Sequence, residues 1–555
     1  MDTFDVATAD ARPLGIITQG SLSKGLEMRL HAHASVEDVR VGKFVVVEGR
    51  RHRYFSMLTD VVLGTANPQI LLDPPTEGSF MGEVLQGIGT FGTVNVSPML
   101  MLERQSDDRE ELRPVKTIPG HFSPVFEASE TDFGTVFGAE TDPKARRFNI
   151  GRPLDMDTPV CLDLDRFVER SNGIFGKSGT GKSFLTRLVL AGTIQREAAV
   201  NLIFDMHNEY GWQARSERRD MPVVKGLKQL FGNDVVVFTL DPESTSRRGI
   251  AGAHEVLISL DQIDIADLAL LKDELNLSEA AIESALILRE GLGGSRWLSR
   301  FLEMSTSEID QFVETGKGHA GALKALQRKL IKVTELSYIR NAVNFDAIEA
   351  ILKYIDQGKH VILEFGSQNT LLSYMLAANI ITRRIHARYV KRCDEYYADP
   401  LNVAPPKKLM ITIEEAHKFL APAIAKQTIF GTIAREMRKY FVTLLIVDQR
   451  PSGIDAEVLS QVGTRITALL NDDKDIDAVF TGVSGGQNLR TVLSQLDPKQ
   501  QALVLGYAVP MPVVVRTRDY DEAFYAAMVN GRIGAGPPEE KAKRGKRHMA
   551  TLWPA

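Results

Sequence analysis

The sequence predicts an α/β protein: a mostly parallel sheet carrying a phosphate loop, preceded by a small β-barrel and interrupted by a helical insertion. Three observations predict it. Gly176-Lys-Ser-Gly-Thr-Gly181-Lys182-Ser183 fits G-x-x-x-x-G-K-[ST] at every fixed position. It lies between an apolar stretch (Gly173-Ile174-Phe175) and an amphipathic run (Phe184–Leu190), the strand–loop–helix setting that a phosphate loop requires. Around it, apolar runs of strand length alternate with helical periodicity, as parallel strands joined by crossover helices do. Ahead of it, short alternating runs broken by Gly, Pro and Asn turns have the spacing of a small barrel.

In chain order, the β pattern runs from about Pro13 to Val125, with Val41-Gly-Lys-Phe-Val-Val-Val47 as a typical strand. Residues 126–150 read as a connection, so 1–150 is expected to be the barrel domain with its connector. The first part of the core is expected over 151–254. There Cys161–Leu164 leads to the phosphate loop, and Ala199–Asp205 and Asp234–Leu240 are buried-strand patterns. Over 255–350, Leu, Ile and Ala recur at helical spacing with almost no strand signal, which predicts a helical insertion. The second part of the core is expected over 351–530, with strands at His360–Phe365, Lys408–Ile413, Val442–Val447, Ala502–Tyr507 and Pro512–Val515. Residues 531–555 are Gly/Pro-rich and then basic (Lys541, Lys543, Arg544, Lys546, Arg547). They read as a flexible tail that either solubilises the chain or touches nucleic acid or a neighbouring subunit.

Composition narrows the class. The chain has 555 residues and a net charge of −5, so it carries no global nucleic-acid signature, and any DNA-binding surface must be local. Two cysteines, Cys161 and Cys393, exclude a disulfide framework or a zinc cluster. No apolar run reaches the roughly 18 residues of a membrane span, and the N-terminus lacks a basic signal-peptide region. A cytoplasmic protein without a membrane segment is expected.

The loop brings nucleotide chemistry. Gly176, Lys177, Ser178, Gly179, Thr180 and Gly181 let backbone N–H groups curl around phosphates at a helix N-terminus. Lys182 is placed to reach the β- and γ-phosphates, and Ser183 to ligate Mg²⁺. Hydrolysis also needs a metal-side acid and a group that positions water. The apolar strand Leu409–Ile413 runs into Glu414-Glu415, the arrangement of a Walker B segment. Glu414 then supports the Mg²⁺ shell and Glu415 polarises water, although Asp is the usual metal-side acid. Val442–Val447 leads into Asp448-Gln449-Arg450-Pro451, and Gln449 is the candidate γ-phosphate sensor.

Together Glu414-Glu-Ala-His417, Ile433-Ala-Arg-Glu-Met-Arg-Lys-Tyr440, Gln449-Arg-Pro451 and Val458-Leu-Ser-Gln461 resemble the HerA branch of the HerA–FtsK ATPases. Asp205-Met-His-Asn-Glu-Tyr210 is similar to the D-x-H-G-E-Y segment of that family, with Asn208 where Gly is commoner. The resemblance covers nearly the whole chain, weakly in 255–350 and not in the tail. It implies a RecA-like P-loop ATPase core and a homo-hexameric ring that uses ATP and Mg²⁺ to translocate or unwind double-stranded DNA. With nucleotide between subunits, a neighbour must supply a cation to the γ-phosphate. Arg170, twelve positions before Lys182, matches the trans-acting arginine of the family, and Arg438 is the second candidate. Asp205 matches an acid near the family's active site, with Glu209 assisting. Arg435 and Arg450 are read as structural ion pairs.

For DNA contact, Lys324, Arg328, Lys329 and Lys332 form a basic stripe on a helix predicted over Ala322–Leu336. It reads equally as a pore lining that holds phosphates and as a solvated face. Nothing points to sequence-specific recognition. The resemblance implies a DNA-dependent ATPase of helicase type that acts in DNA end processing with a NurA-like nuclease docked on the barrel. The alternative is an ATPase scaffold in an antiviral defence complex with a nuclease or NAD-consuming effector. A third reading, a conjugative coupling protein, ranks last because those usually carry a membrane anchor.

Overall fold

The computed structural model describes residues 13–31, 34–65, 72, 90–104, 110–142, 145–215, 223–250, 252–292, 294–314, 319–426, 428–483 and 486–530. The basic tail lies outside these residues. The chain forms two compact units, one of 1–163, 466–472 and 483–518, the other of 164–465, 473–482 and 519–555.

The first unit begins with a closed barrel. Its antiparallel strands run in the order Gly25–Leu30, Gly15–Ser21, Pro124–Glu127, Phe44–Glu48, Arg53–Thr65 and Thr90–Arg104. Thr90–Arg104 then pairs back onto Gly25–Leu30, closing six strands, and Glu110–Pro114 is added outside. Closure leaves few edges for a second chain to pair with. Met28, Val45, Val47, Leu58, Val94 and Val125 fill the interior. Phe44 and Phe55 instead pack edge-on against Phe133 of the helix Glu130–Phe137, each with ring centroids 5.3 Å apart. That helix lies in the stretch expected to be a plain connection. Its signals are the Ser129–Asp132 capping box and Phe133, Val136 and Phe137 at helical spacing. Four further strands of this unit, Arg147–Arg152, Val160–Asp163, Gln501–Gly506 and Val513–Thr517, pair antiparallel.

The second unit holds the parallel sheet. Its strands run in the order His254–Glu255, Val235–Thr239, His360–Glu364, Val200–Asp205, Leu409–Ile413, Val442–Asp448 and Asn172–Phe175, and every neighbouring pair is parallel. Val200–Asp205, His360–Glu364, Leu409–Ile413 and Val442–Asp448 are buried along their whole length, as strands covered by helices on both faces are. Parallel pairing also brings their carboxyl ends to one edge. Phe175 lies beside Asp448, and Asp205 beside Glu364.

The insertion comprises Ile265–Leu270, Glu279–Gly291, Trp297–Glu303, Thr306–Glu314 and Ala320–Thr334. Leu323, Leu326, Leu330 and Val333 form the buried face of the last helix. On its other faces Lys324 pairs with Asp310 at 2.7 Å and Lys329 donates to the Asn276 carbonyl, whereas Arg328 and Lys332 are exposed. Asp267 anchors the insertion by accepting from Asn379 at 2.7 Å and Arg383 at 2.8 Å, both on the helix Leu371–Ala398. Among the described residues no helix is long and apolar enough to cross a membrane.

Candidate active site

The strand Asn172–Phe175 delivers the chain to the carboxyl edge of the sheet and into the phosphate loop. Gly179 and Gly181 take φ of +77° and +89°, and a Cβ at either position would meet nothing within 4 Å. Backbone conformation rather than space therefore requires glycine there. The helix Lys182–Gln195 starts with Gly181 as N-cap and without a side-chain cap, leaving its first N–H groups for an anion. Thr180 Oγ1 and Lys182 Nζ both donate to the Lys177 carbonyl, at 2.7 and 3.1 Å. Burial lowers the Lys182 pKa, and the carboxylates of Glu415, Asp448, Glu414 and Glu209 oppose that shift.

Glu414 is buried at the end of its strand. Tyr210 Oη donates to its Oε1 at 2.7 Å. Tyr374 Oη accepts from the Glu414 N–H at 2.9 Å and donates to its carbonyl at 3.0 Å. The second carboxyl oxygen, Oε2, is buried without a hydrogen-bond partner. Burial, with Asp205, Glu209 and Glu415 nearby, pushes the carboxyl up to about 8. Glu415 follows in a left-handed conformation, φ +48°. Its Oε1 accepts from Gln449 Nε2 at 3.1 Å, and Gln449 Oε1 accepts from Ser178 Oγ at 2.9 Å. The predicted loop, acid and sensor thus meet in one chain of contacts.

Asp205 does different work from its neighbours. Its carboxylate accepts three backbone N–H groups, from Glu209, Tyr210 and Gly211 at 2.7, 2.8 and 3.1 Å, and so shapes the turn that follows it. Burial raises its pKa, and those three bonds pull against the rise. Asn208 sits in that turn at φ +58°, a region Asn tolerates better than most residues, and its Oδ1 accepts from Gly366 N–H at 3.0 Å. This explains Asn where glycine is commoner. From the phosphate-loop helix, Arg187 donates to the Glu209 carbonyl at 2.5 Å.

Several residues of this site escape a reading of the sequence. Tyr210 and His417 lie inside the recognised motifs, but nothing local gives either a role. Glu364 and Asp448 are acids ending buried strands, the same signal that marks Asp205. Tyr374 lies in the first turn of the helix Leu371–Ala398, 40 positions from Glu414, and carries no local signal. Arg435 donates to the Ala425 carbonyl at 3.4 Å, a hydrogen bond to backbone where an ion pair was expected.

Residues 148–385 match the family model described as the central domain of helicase HerA, and residues 14–84 match the HAS barrel domain. The DNA double-strand break repair helicase HerA of Saccharolobus solfataricus is 24% identical over 86% of this chain and 87% of its own length. That of Sulfolobus acidocaldarius is 22% identical over 92% and 93%. That of Pyrococcus furiosus is 21% identical over 68% and 69%. The chain belongs to the HerA family. As a HerA-family chain it is a P-loop ATP hydrolase of the helicase type.

In this HerA-family chain the two candidate arginines lie away from the phosphate loop. Arg170 precedes the strand Asn172–Phe175 and Arg438 sits in the turn before Val442–Asp448, at the amino edge of the sheet. Phosphate-loop and Walker B residues occupy the carboxyl edge, a strand length away at about 3.3 Å per residue. Arg438 Nη2 lies 3.8 Å from Glu169 Oε2, which brings it next to the sequence neighbour of Arg170.

The acids at the carboxyl edge fit a divalent cation. Glu414 Oε2 is a buried oxygen without a partner, crowded by Asp205, Glu209 and Glu415. Among the described residues no group of three or more His, Cys, Asp or Glu forms a metal site of its own. A cation here would therefore take most of its ligands from phosphates and water, as Mg²⁺ does in nucleotide sites.

Proposed function

We propose that this chain is the subunit of an ATP-driven ring motor that translocates on or unwinds double-stranded DNA, working with a partner nuclease in DNA end processing. The observation that carries this reading is the separation of the phosphate loop from Arg170 and Arg438 on opposite edges of one sheet. A motor whose transition state needs a cation at the γ-phosphate then draws it from the next subunit, which favours a closed homo-hexamer. The relatives named as DNA double-strand break repair helicases, matched over most of both chains, support DNA as the substrate.

Within each site the loop and Lys182 hold the phosphates, and Ser183 and Glu414 hold Mg²⁺, which would neutralise phosphate charge. Glu415 polarises the attacking water, and Gln449, bonded to both Ser178 and Glu415, reports whether the γ-phosphate is present. Asp205 acts through the turn it holds. For the barrel as the nuclease platform, Leu63 and Phe122 supply exposed apolar side chains. Arg328 and Lys332 remain candidates for DNA phosphates.

Rings mixed from Arg170→Ala and Lys182→Ala subunits test the shared site. Each variant alone is expected to be inactive in DNA-stimulated ATP hydrolysis, and mixtures to regain activity. Full activity of Arg170→Ala rings, or mixtures no better than their components, would exclude the role of Arg170.

A further inference from the structure

His417 stands three positions after Glu414 in the turn that leaves the Walker B strand, and neither the loop nor the metal side uses it. Its Nδ1 lies 2.9 Å from Asp448 Oδ2, 3.2 Å from Oδ1, and 3.8 Å from Glu415 Oε2. Asp448 cannot follow a moving partner. Its side chain is fully buried at the end of a central strand, and it also accepts the backbone N–H groups of His417 and Arg450, both at 2.7 Å. The Pro451–Gly453 turn closes behind the ring, where a Cβ on Gly453 would stand 3.3 Å from His417 Cβ.

Glu415 has the opposite problem. A glutamate side chain loses much of its rotamer freedom when fixed, and the backbone places this one in a left-handed turn. Gln449 holds only Oε1. On the Oε2 side His417 Nδ1 stands 3.8 Å away, within reach of a charge interaction but not of a hydrogen bond, and Lys182 adds its charge to the same carboxylate.

We infer that His417 is a positioning residue for ATP hydrolysis: anchored by Asp448, its imidazolium holds the second oxygen of Glu415, so that the carboxylate is fixed from both sides beside the phosphate loop. The hydrogen bond to Asp448 raises the imidazole pKa above its usual value. Asp448 and Glu415 add to that by charge, while burial and Lys418 oppose it. The inference rests on the reading of Glu415 as the water-polarising acid.

The test is steady-state ATP hydrolysis by full-length assemblies, with nucleotide affinity and melting temperature measured alongside. In His417→Asn the amide nitrogen can take the place of Nδ1 and keep the bond to Asp448 without the charge. Its kcat is expected to fall about tenfold with nucleotide affinity and melting temperature unchanged, because loss of alignment affects the chemical step. Wild-type kcat is expected to decline as pH rises through the imidazolium range above about 6.5, and His417→Asn to lack that decline. If His417→Asn matches wild type while His417→Ala is impaired, the residue only braces Asp448 and the inference fails. Because Glu414 and Lys182 also titrate above neutral pH, the comparison decides: a His417→Asn profile parallel to that of the wild type overturns the inference. Glu415→Gln separates the two layers: robust hydrolysis by that variant removes the role of Glu415 itself, whereas an inactive Glu415→Gln beside a normal His417→Asn removes only His417.

Discussion

Tyr210 Oη donates a 2.7 Å hydrogen bond to Glu414 Oε1, joining the turn after one central strand to the acid that ends the neighbouring strand. Asp205 holds that turn through three backbone bonds, and Arg187 of the phosphate-loop helix reaches its Glu209 carbonyl. Glu414 is therefore braced by a segment that also contacts the phosphate-loop helix.

Tyr210→Phe removes one hydroxyl and leaves Glu414 buried without a partner on either oxygen. The fold is expected to lose about 1–3 kcal/mol, the cost of an unsatisfied buried polar group. The Mg²⁺ concentration for half-maximal hydrolysis is expected to rise more than the KM for ATP. Urea unfolding and a Mg²⁺ titration check this. An unchanged Mg²⁺ requirement would mean that Tyr210 braces the turn alone.

Glu415→Gln retains the shape of the side chain and its contact with Gln449 but cannot accept a proton from water. Hydrolysis is expected to fall by about a hundredfold or more, with nucleotide binding retained. Gln449→Ala, which breaks the link between Ser178 and Glu415, is expected to lower kcat by about tenfold and leave ADP affinity untouched. Equal loss of ATP and ADP binding in Gln449→Ala would argue against a γ-phosphate sensor.

Glu364 gives a pH dependence of stability. Its buried carboxyl takes a hydrogen bond from Arg248 at 2.6 Å through Oε2, and its Oε1 has no partner. Burial first, and then Asp205 beside it, push the carboxyl up to about 7, against Arg248. A folded-state pKa above the unfolded one means the folded chain binds the extra proton. This contribution is thus complete below about pH 4.3 and is lost as pH rises through about 7. Each tenfold difference in proton affinity between the folded and unfolded chain is worth about 1.4 kcal/mol. Thermal melts from acid to neutral pH are expected to show a shallower decline for Glu364→Gln than for wild type. Parallel curves would assign the slope to other carboxyls.

Asn208 tests the backbone argument. At φ +58° a β-branched side chain is strained, so Asn208→Val is expected to cost about 1–3 kcal/mol. Asn208→Gly keeps the conformation and loses only the bond to Gly366, so it is expected to cost about 1 kcal/mol. Chemical denaturation of both variants orders the two effects. A Gly variant as unstable as the Val variant would place the whole effect in the hydrogen bond.

The sequence by itself determined what is local: the phosphate loop, the Glu414-Glu415 strand end, Gln449 on a later strand, and the alternation that announces a parallel sheet. Each is written within about ten consecutive residues, because loop conformation and strand burial depend on nearest neighbours. The tertiary structure decided what those parts face. The bond from Tyr210 to Glu414 spans 204 positions and that from Ser178 to Gln449 spans 271, and no local pattern encodes a partner at such distance. The same holds for the barrel, whose closure depends on Gly25–Leu30 finding Thr90–Arg104. It holds again for Asp205, which the resemblance places near the active site and whose three backbone bonds hold the turn that follows it. Charge and spacing can nominate a carboxylate, but only packing determines whether its oxygens meet protein donors or, as with Glu414 Oε2, none.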